Sequence, residues 1–271
     1  MSPSKIEHFL VDGREIADLL HDVPTPRDLT HASEMHKTDE RLDLLDRRLV
    51  VSSMRFGRVY GFAQEQNGRI IQNLFPIKKD EGSQISSSSK ARLEMHTETA
   101  FHPFKPEYVI LLCVRDDPHA GTTLSALPDV LEYLDDETID VLHQPEFKTS
   151  LDQSFQNHDQ PDRELLTPVF FNQSTAMAYD RGLMRGVTGR ARVALVRLSE
   201  AIDKVRKNVF LKTGDMLIID NRQVVHGRTP FTPRYDGTDR WLKRVMVSTR
   251  LNQCDQISNG WTGLPVVTTT F

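Results

Sequence analysis

Cysteine is nearly absent: Cys113 and Cys254 are the only two in 271 residues. That rules out a disulfide framework, a CxxC redox pair and a cysteine-built zinc site. Cys113 lies inside an apolar run and reads as a buried thiol. Long hydrophobic runs are lacking too. The longest, Tyr108 to Val114, stops far short of the ~20 residues a bilayer-spanning helix needs. The opening MSPSKIEHF has no apolar stretch of signal-peptide type, so a cytoplasmic setting is expected. Neither sign of charge is in excess, with 34 Lys and Arg against 38 Asp and Glu for a net charge of −4. Such a balance gives no electrostatic footprint for nucleic acid or an anionic membrane. No G-x-G-x-x-G, G-x-x-x-x-G-K-[ST] or G-x-S-x-G occurs, which removes the dinucleotide, P-loop and serine-hydrolase readings. Ser86 to Ser89 therefore read as loop residues rather than nucleophiles. No internal repeat is present.

What is there suits a folded domain, with 38% hydrophobic and 27% charged residues. The reading is one domain over residues 1–271. Residues 1–47 read as a helical N-terminal extension, with roughly helical apolar spacing over Ile6 to His21 and Glu34 to Arg47. Residues 48–251 read as the core and 252–271 as a tail. Arg48 to Gln64 is rich in β-branched and aromatic residues, Asn67-Gly68 suits a hairpin turn, and Arg69 to Ile77 reads as the returning strand. Residues 78–92 (KKDEGSQISSSSKAR) are polar and Ser-rich, either a connector or a lid that orders over a site. Glu107 to Arg115 is the most strand-like segment, apolar enough to be buried on both faces. Val130 to Leu142 has helical spacing, and Thr188 can cap a helix whose stripe is Ala191, Leu195, Leu198, Ile202 and Val205. Met216 to Asp220 and Arg240 to Leu251 read as strands. Strands and helices do not alternate along the chain. The fold class expected is mainly β with helical decoration, a β-sandwich or jelly roll.

Among ten histidines only His96 begins an H-x-[DE] pattern, His96-Thr97-Glu98. With this many histidines and acids, chance alone can supply such a pattern, so its weight comes from context. In an extended segment residues i and i+2 share a face, so His96 and Glu98 can offer an imidazole and a carboxylate to one point. His226, after the run MLIIDNRQVV, is the best third ligand. Two histidines and one carboxylate on one face of a metal suit non-haem Fe(II), and the same ligands could hold a catalytic zinc. Downstream, Arg240 and Arg244 would face one side of a strand, about 13 Å apart. Buried arginines are costly unless carboxylates meet them, and a guanidinium grips a carboxylate in a fork. Two of them beside the metal suggest two carboxylate ligands, a co-substrate and a substrate, for which a zinc hydrolase has no evident need.

His96-Thr97-Glu98, the strand with Thr123, and HGRTPF…YDGTDRWLKR from His226 to Arg244 together resemble the clavaminate synthase-like branch of the Fe(II)/2-oxoglutarate-dependent oxygenases, the TauD-like superfamily. That branch includes arginine, asparagine and lysine hydroxylases acting on free amino acids. The resemblance covers roughly residues 48–251 and implies a double-stranded β-helix (jelly roll) core. It also implies Fe(II), 2-oxoglutarate and O2 as cofactor and co-substrates, with 2-oxoglutarate decarboxylated to succinate and CO2 as an amino acid is hydroxylated. Carried over residue by residue, His96, Glu98 and His226 would bind iron. Arg240 would hold the distal carboxylate of 2-oxoglutarate, with Thr123 as a hydroxyl donor to it. Arg244 would grip the amino-acid α-carboxylate. Tyr179-Asp180-Arg181-Gly182 resembles the family's acidic YDxD motif, with Asp180 kept as a substrate contact and Gly182 in place of the second acid, a departure that speaks against an arginine substrate. Because Glu98 is a carboxylate rather than a small residue, halogenation is not expected. Desaturation or ring closure would use the same ligands. The readings of another class are a zinc-dependent hydrolase and a non-catalytic binding protein on the same scaffold. The expected partner is a small amino-acid substrate, with no nucleic acid and no membrane.

Overall fold

Strand β5 (Tyr108–Arg115) is apolar almost throughout because the fold buries both of its faces. Val109, Leu111 and Cys113 point into one cluster, while Ile110, Leu112 and Val114 join another. The computed structural model describes residues 4–8, 13–152, 155, 166–251, 256–258 and 264–268; Cys254 lies outside them. It sets β5 in an eight-stranded sheet ordered β1 (Ser4–His8), β12 (Asp215–Asp220), β5, β14 (Trp241–Ser248), β2 (Arg58–Phe62), β16 (Pro265–Val267) and β15 (Gln256–Ser258), with β3 (Gln72–Leu74) also on β14. A four-stranded sheet runs β11 (Lys207–Val209), β6 (Thr122–Ala126), β13 (Val224–Arg228), β4 (Leu93–His96). Leu111, Leu217, Ile219 and Leu242 of the large sheet meet Leu124 and Val224 of the small one, so the two sheets pack face to face.

Helices cover the outer faces. Helices α1 (Gly13–Leu20), α2 (Leu29–Thr38) and α3 (Glu40–Ser53) lay Ile16, Ala32, Leu42, Leu45 and Leu49 on Ile110, Leu112, Val245 and Val247 of the large sheet. Helices α4 (Leu127–Leu131), α5 (Asp136–Leu142) and α6 (Gly189–Lys204) cover Met95 and Val225 of the small sheet with Leu127, Leu142, Leu198 and Ile202. Thr188 caps α6 as expected, its side chain accepting from the Ala191 N–H. Two ribbons, β7 (Phe147–Thr149) with β10 (Met184–Gly186) and β8 (Phe170–Phe171) with β9 (Ala176–Met177), complete a chain that is mainly β with helices. No helix among the described residues is long and apolar enough to cross a membrane.

Several local expectations are overturned by long-range pairing. Ser4–His8 is a strand on the sheet edge, antiparallel to β12, rather than the start of a helix. Residues 1–47 are therefore not a purely helical extension. Asp39 ends α2 and caps α3, which continues through the β-branched residues of Arg48–Ser53 because Leu42, Leu45 and Leu49 form its buried stripe. The Asn67-Gly68 turn has the left-handed backbone expected, with φ of 58° and 75°. Yet β2 and β3 do not pair with each other. Both lie along the same edge of β14, β2 at Met246–Ser248 and β3 at Leu242–Arg244. Val130–Leu142 is split into α4 and α5, the second started by the Asp135 carboxylate. The presumed C-terminal tail supplies β15 and β16, and β16 runs parallel to β2.

Strand β14 also carries a charge onto the helical face. Lys243 is fully buried and donates to the carboxylate of Asp46 on α3. The His36 ring closes this pair, its Nε2 3.3 Å from the ammonium. Burial, with Lys243 and Arg69, pushes His36 down to about 3, so its neutral ring can accept from the lysine. A buried pair adds little net stability, but removing one partner strands the other charge. Lys243→Met is expected to cost about 3–5 kcal/mol in denaturant unfolding, and adding Asp46→Leu should return most of that loss. Because the folded His36 titrates below its unfolded value of 6.5, its contribution is full above that pH and is lost as pH falls toward 3. Stability should therefore fall with acid by up to one proton's slope over that window, and His36→Gln should flatten the fall.

Candidate metal centre

Antiparallel pairing of β13 with β4 sets His226 directly opposite His96. Their rings lie 4.5 Å apart between centroids. Glu98 follows two residues later, with Oε2 3.6 Å from Nε2 of His226. One ligand atom from each of the three lies within 4.8 Å of the others. Among the described residues this is the only group of histidine, cysteine and acid side chains able to hold a metal ion. The strands can approach this closely because position 227 is glycine. A Cβ there would sit 2.4 Å from the Leu93 carbonyl oxygen and 2.9 Å from Oγ1 of Thr123, at a register shift between His226 and Arg228.

The setting of these side chains suits a cation. Nδ1 of His96 lies 2.8 Å from the Glu94 carbonyl, to which it donates, so Nε2 is the ring nitrogen left for the site. Burial and His96 push His226 down to about 4, against the pull of Glu98, so this ring is neutral at pH 7. Its Nδ1 is buried without a hydrogen-bond partner among the described residues. Burial raises the Glu98 carboxyl, but Arg244, His226 and His96 outweigh burial and hold it well below the usual carboxylate range. Two imidazoles and a carboxylate that converge on one point form the facial donor set suited to Fe(II).

The inner face of the large sheet supplies the arginines. Arg244 lies on β14 opposite Gln72. Its Nη1 donates to Oε2 of Glu98 at 2.5 Å and its Nε to Oε1 of Gln72 at 2.8 Å. Gln72 in turn donates to Glu65 at 2.8 Å, and Glu65 lies 3.7 Å from Arg244. Burial pushes Glu65 up to about 7, although Arg244 opposes the rise. Arg240 has a different setting. It is buried, donates to Oγ1 of Thr122 at 3.0 Å, and makes no ion pair among the described residues. Arg228 is buried nearby, pushed down to about 9 by burial and then by Arg240. Two buried guanidiniums thus share a region without an ion-paired carboxylate.

Two of the expected site residues are placed otherwise. Thr123 points away from Arg240 and lies against Met95, its Oγ1 3.2 Å from the sulfur, on the face covered by α6. Strand alternation gives the inner position to Thr122. Asp180 is brought to His96 by a backbone bridge, but its Oδ1 accepts the N–H groups of Gly182 and Leu183 at 2.8 Å each. That oxygen closes a turn. The Ser-rich segment is also fastened by the protein itself. The Glu81 carbonyl accepts from Ser89, Lys90 and Ala91, and Arg228 donates to the Ser86 and Ala91 carbonyls and to Ser88. Sequence reasoning missed Glu65, Gln72, Thr122 and Asn221. The parity of Gln72 on β3 could have been found only with its pairing to Arg244 in hand.

Residues 46–246 match the family model for taurine catabolism dioxygenase TauD, TfdA family. The chain is 38% identical over 209 residues to the L-asparagine oxygenase of Streptomyces coelicolor, covering 76% of this chain and 62% of that protein. It is 32% identical over 249 residues to the L-lysine 3-hydroxylase of Catenulispora acidiphila, covering 89% and 66%. It therefore spans somewhat less than two thirds of the length of these relatives. Among solved structures, the non-heme iron oxygenase OrfP in complex with Fe and alpha-ketoglutaric acid superposes with a TM-score of 0.79 at 31% identity, covering 97% of this chain and 80% of that one. Asparagine oxygenase in complex with Fe(II), 3-hydroxyasparagine and succinate gives 0.78 at 32% identity, covering 99% and 80%.

Gly227→Ala should push β4 off β13 and separate the two imidazoles. The expected result is a stability loss of about 1–3 kcal/mol and weakened Co(II) binding, read by thermal melting and by the visible spectrum of the Co(II) form.

Proposed function

The chain belongs to the TauD/TfdA dioxygenase family, and on that premise we propose that it is an Fe(II)/2-oxoglutarate-dependent oxygenase that hydroxylates a free polar or basic L-amino acid. The observation that carries this reading is the convergence of His96, Glu98 and His226 in a fold that also buries Arg240 without an ion pair among the described residues. The names of the relatives, which include asparagine, lysine and ornithine/arginine oxygenases or hydroxylases, support the substrate class. The two face-to-face sheets agree with a double-stranded β-helix (jelly roll), the site lying between them. The setting proposed is cytoplasmic.

His96, Glu98 and His226 would hold the metal, which when bound supplies the activation of oxygen coupled to decarboxylation of 2-oxoglutarate to succinate and CO2. The protein's own contribution is orientation and exclusion of water. Arg240 offers a guanidinium to the distal carboxylate of 2-oxoglutarate, with the hydroxyl of Thr122 beside it. A hydrolytic zinc centre has no use for that cation. Arg244 is the anchor for the substrate α-carboxylate. Glu65 and Gln72, which already touch it, offer acceptors to the α-ammonium, so a zwitterion matches both signs of the cluster. Asp180 stands beside His96 with one oxygen engaged in its turn, so it can contact the substrate side chain only through the other. The Ser-rich segment, tied down by Arg228, forms a wall on the Arg240 side and lengthens the path for water.

Anaerobic addition of Fe(II) and 2-oxoglutarate should produce a visible metal-to-ligand charge-transfer band. Arg240→Ala should weaken 2-oxoglutarate binding by about 10–100-fold, the worth of a charged hydrogen bond, while Fe(II) still binds. Succinate release should then depend on one amino acid in a panel. Absence of the band, or unaltered 2-oxoglutarate affinity in Arg240→Ala, would sink the reading.

A further inference from the structure

Sheet pairing accounts for the two histidines but not for the carboxylate between them. Strand β4 ends at His96, where its ladder with β13 also stops. Glu98 lies two residues further on, and Thr99, with a positive φ of 47°, turns the chain away. Among the described residues no strand pairs with the Glu98 backbone. Thr97, the residue between the two ligands, faces the other way and is bound to Tyr179 through backbone and hydroxyl. That leaves the Glu98 backbone itself.

Asn221 supplies what a neighbouring strand would have supplied. It is 1% exposed, in the turn joining β12 to β13, five positions before His226. Its Oδ1 accepts the Glu98 N–H at 2.7 Å, and its Nδ2 donates to the Glu98 carbonyl at 3.2 Å and to the Pro106 carbonyl at 2.9 Å. A side-chain amide carries one acceptor and two donors, so it can pair both backbone polar groups of one residue at once. The Asn221 N–H is itself fixed on the Glu107 carbonyl at 2.9 Å. The clamp therefore links Glu98 to the turn that delivers His226.

We infer that Asn221 is a positioning residue for the metal site: it fixes the backbone of the carboxylate ligand at the right distance from the imidazoles. The inference rests on the metal reading proposed above. The need for a clamp follows from Arg244, whose Nη1 pulls on the Glu98 carboxylate at 2.5 Å. Without Asn221 the Glu98 segment is free to follow Arg244 and leave the two histidines.

The test is Mn(II) titration of the full chain, followed by calorimetry and by the loss of free Mn(II) signal in electron paramagnetic resonance. Asn221→Ala removes all three side-chain bonds. Asn221→Asp keeps the acceptor for the Glu98 N–H but turns a carboxylate oxygen toward two carbonyls, and it serves if the alanine variant does not fold. Either should weaken Mn(II) by about 10–100-fold, the usual cost of losing a group that orients a ligand, with the circular dichroism of the metal-free protein unchanged. In a Glu98→Ala background, the same substitution should produce no further loss. Amide exchange at Glu98 in metal-free protein should quicken in Asn221→Ala. Mn(II) affinity within two-fold of wild type in a folded variant overturns the inference, as does an equal loss in the Glu98→Ala background. If the wild-type chain binds no Mn(II), the metal reading itself falls and takes this role with it.

Discussion

The β4–β13 ladder has little freedom to slip. Its register sets His226 against His96, and a shift of one residue would turn an imidazole to the outer face, because side chains alternate along a strand. Val225, next to His226, is packed in the cluster beneath α6, and Val224 belongs to the cluster between the sheets. Burial on both sides thus fixes which residues of β13 face inward. The absent side chain at Gly227 then allows the close approach of the partner strand.

Charge burial follows the same logic across the large sheet. Strand β14 and the residue before it place Arg240, Lys243 and Arg244 in the protein interior. Lys243 points toward the helices and is neutralised by Asp46. Arg244 points inward and meets Glu98 and Glu65. Of the three, only Arg240 meets a hydroxyl and no ion-paired acid among the described residues. An interior cation without a counter-ion is costly unless an anion arrives from outside. The asymmetry between these three neighbours gives the candidate site a defined polarity. The imidazole and carboxylate cluster gathers donors suited to a cation, while Arg240 presents a guanidinium outside any ion pair among the described residues.

Much of the site was legible in the chain because its signals are local. The i, i+2 spacing of His96 and Glu98 put them on one face, and the same parity put Arg240 and Arg244 together. The unbroken apolarity of Tyr108–Arg115 announced a strand buried on both faces, which alternates between two clusters. Errors arose where pairing partners lie far along the chain. Thr122 and Thr123 are indistinguishable by composition, and only the pairing of β6 with β13 decides which hydroxyl reaches Arg240. The Asn67-Gly68 turn was correct as a turn and misleading as a hairpin, because β14 is long enough to seat both flanking strands in series. Ser4–His8 has weak helical spacing that an open sheet edge overrides.

The residue types, their parity on strands and the net balance of charge are properties of the sequence alone, and they suffice to single out the His96, Glu98 and His226 group, the two buried arginines and a mainly β chain. Distances between segments are not local properties. The Glu98 peptide is held by Asn221, 123 positions away, and Arg244 is joined to Glu65 through Gln72 across two strands. Which polar groups satisfy one another depends on backbone hydrogen bonds between remote strands, and those exist only once the sheets have closed on each other.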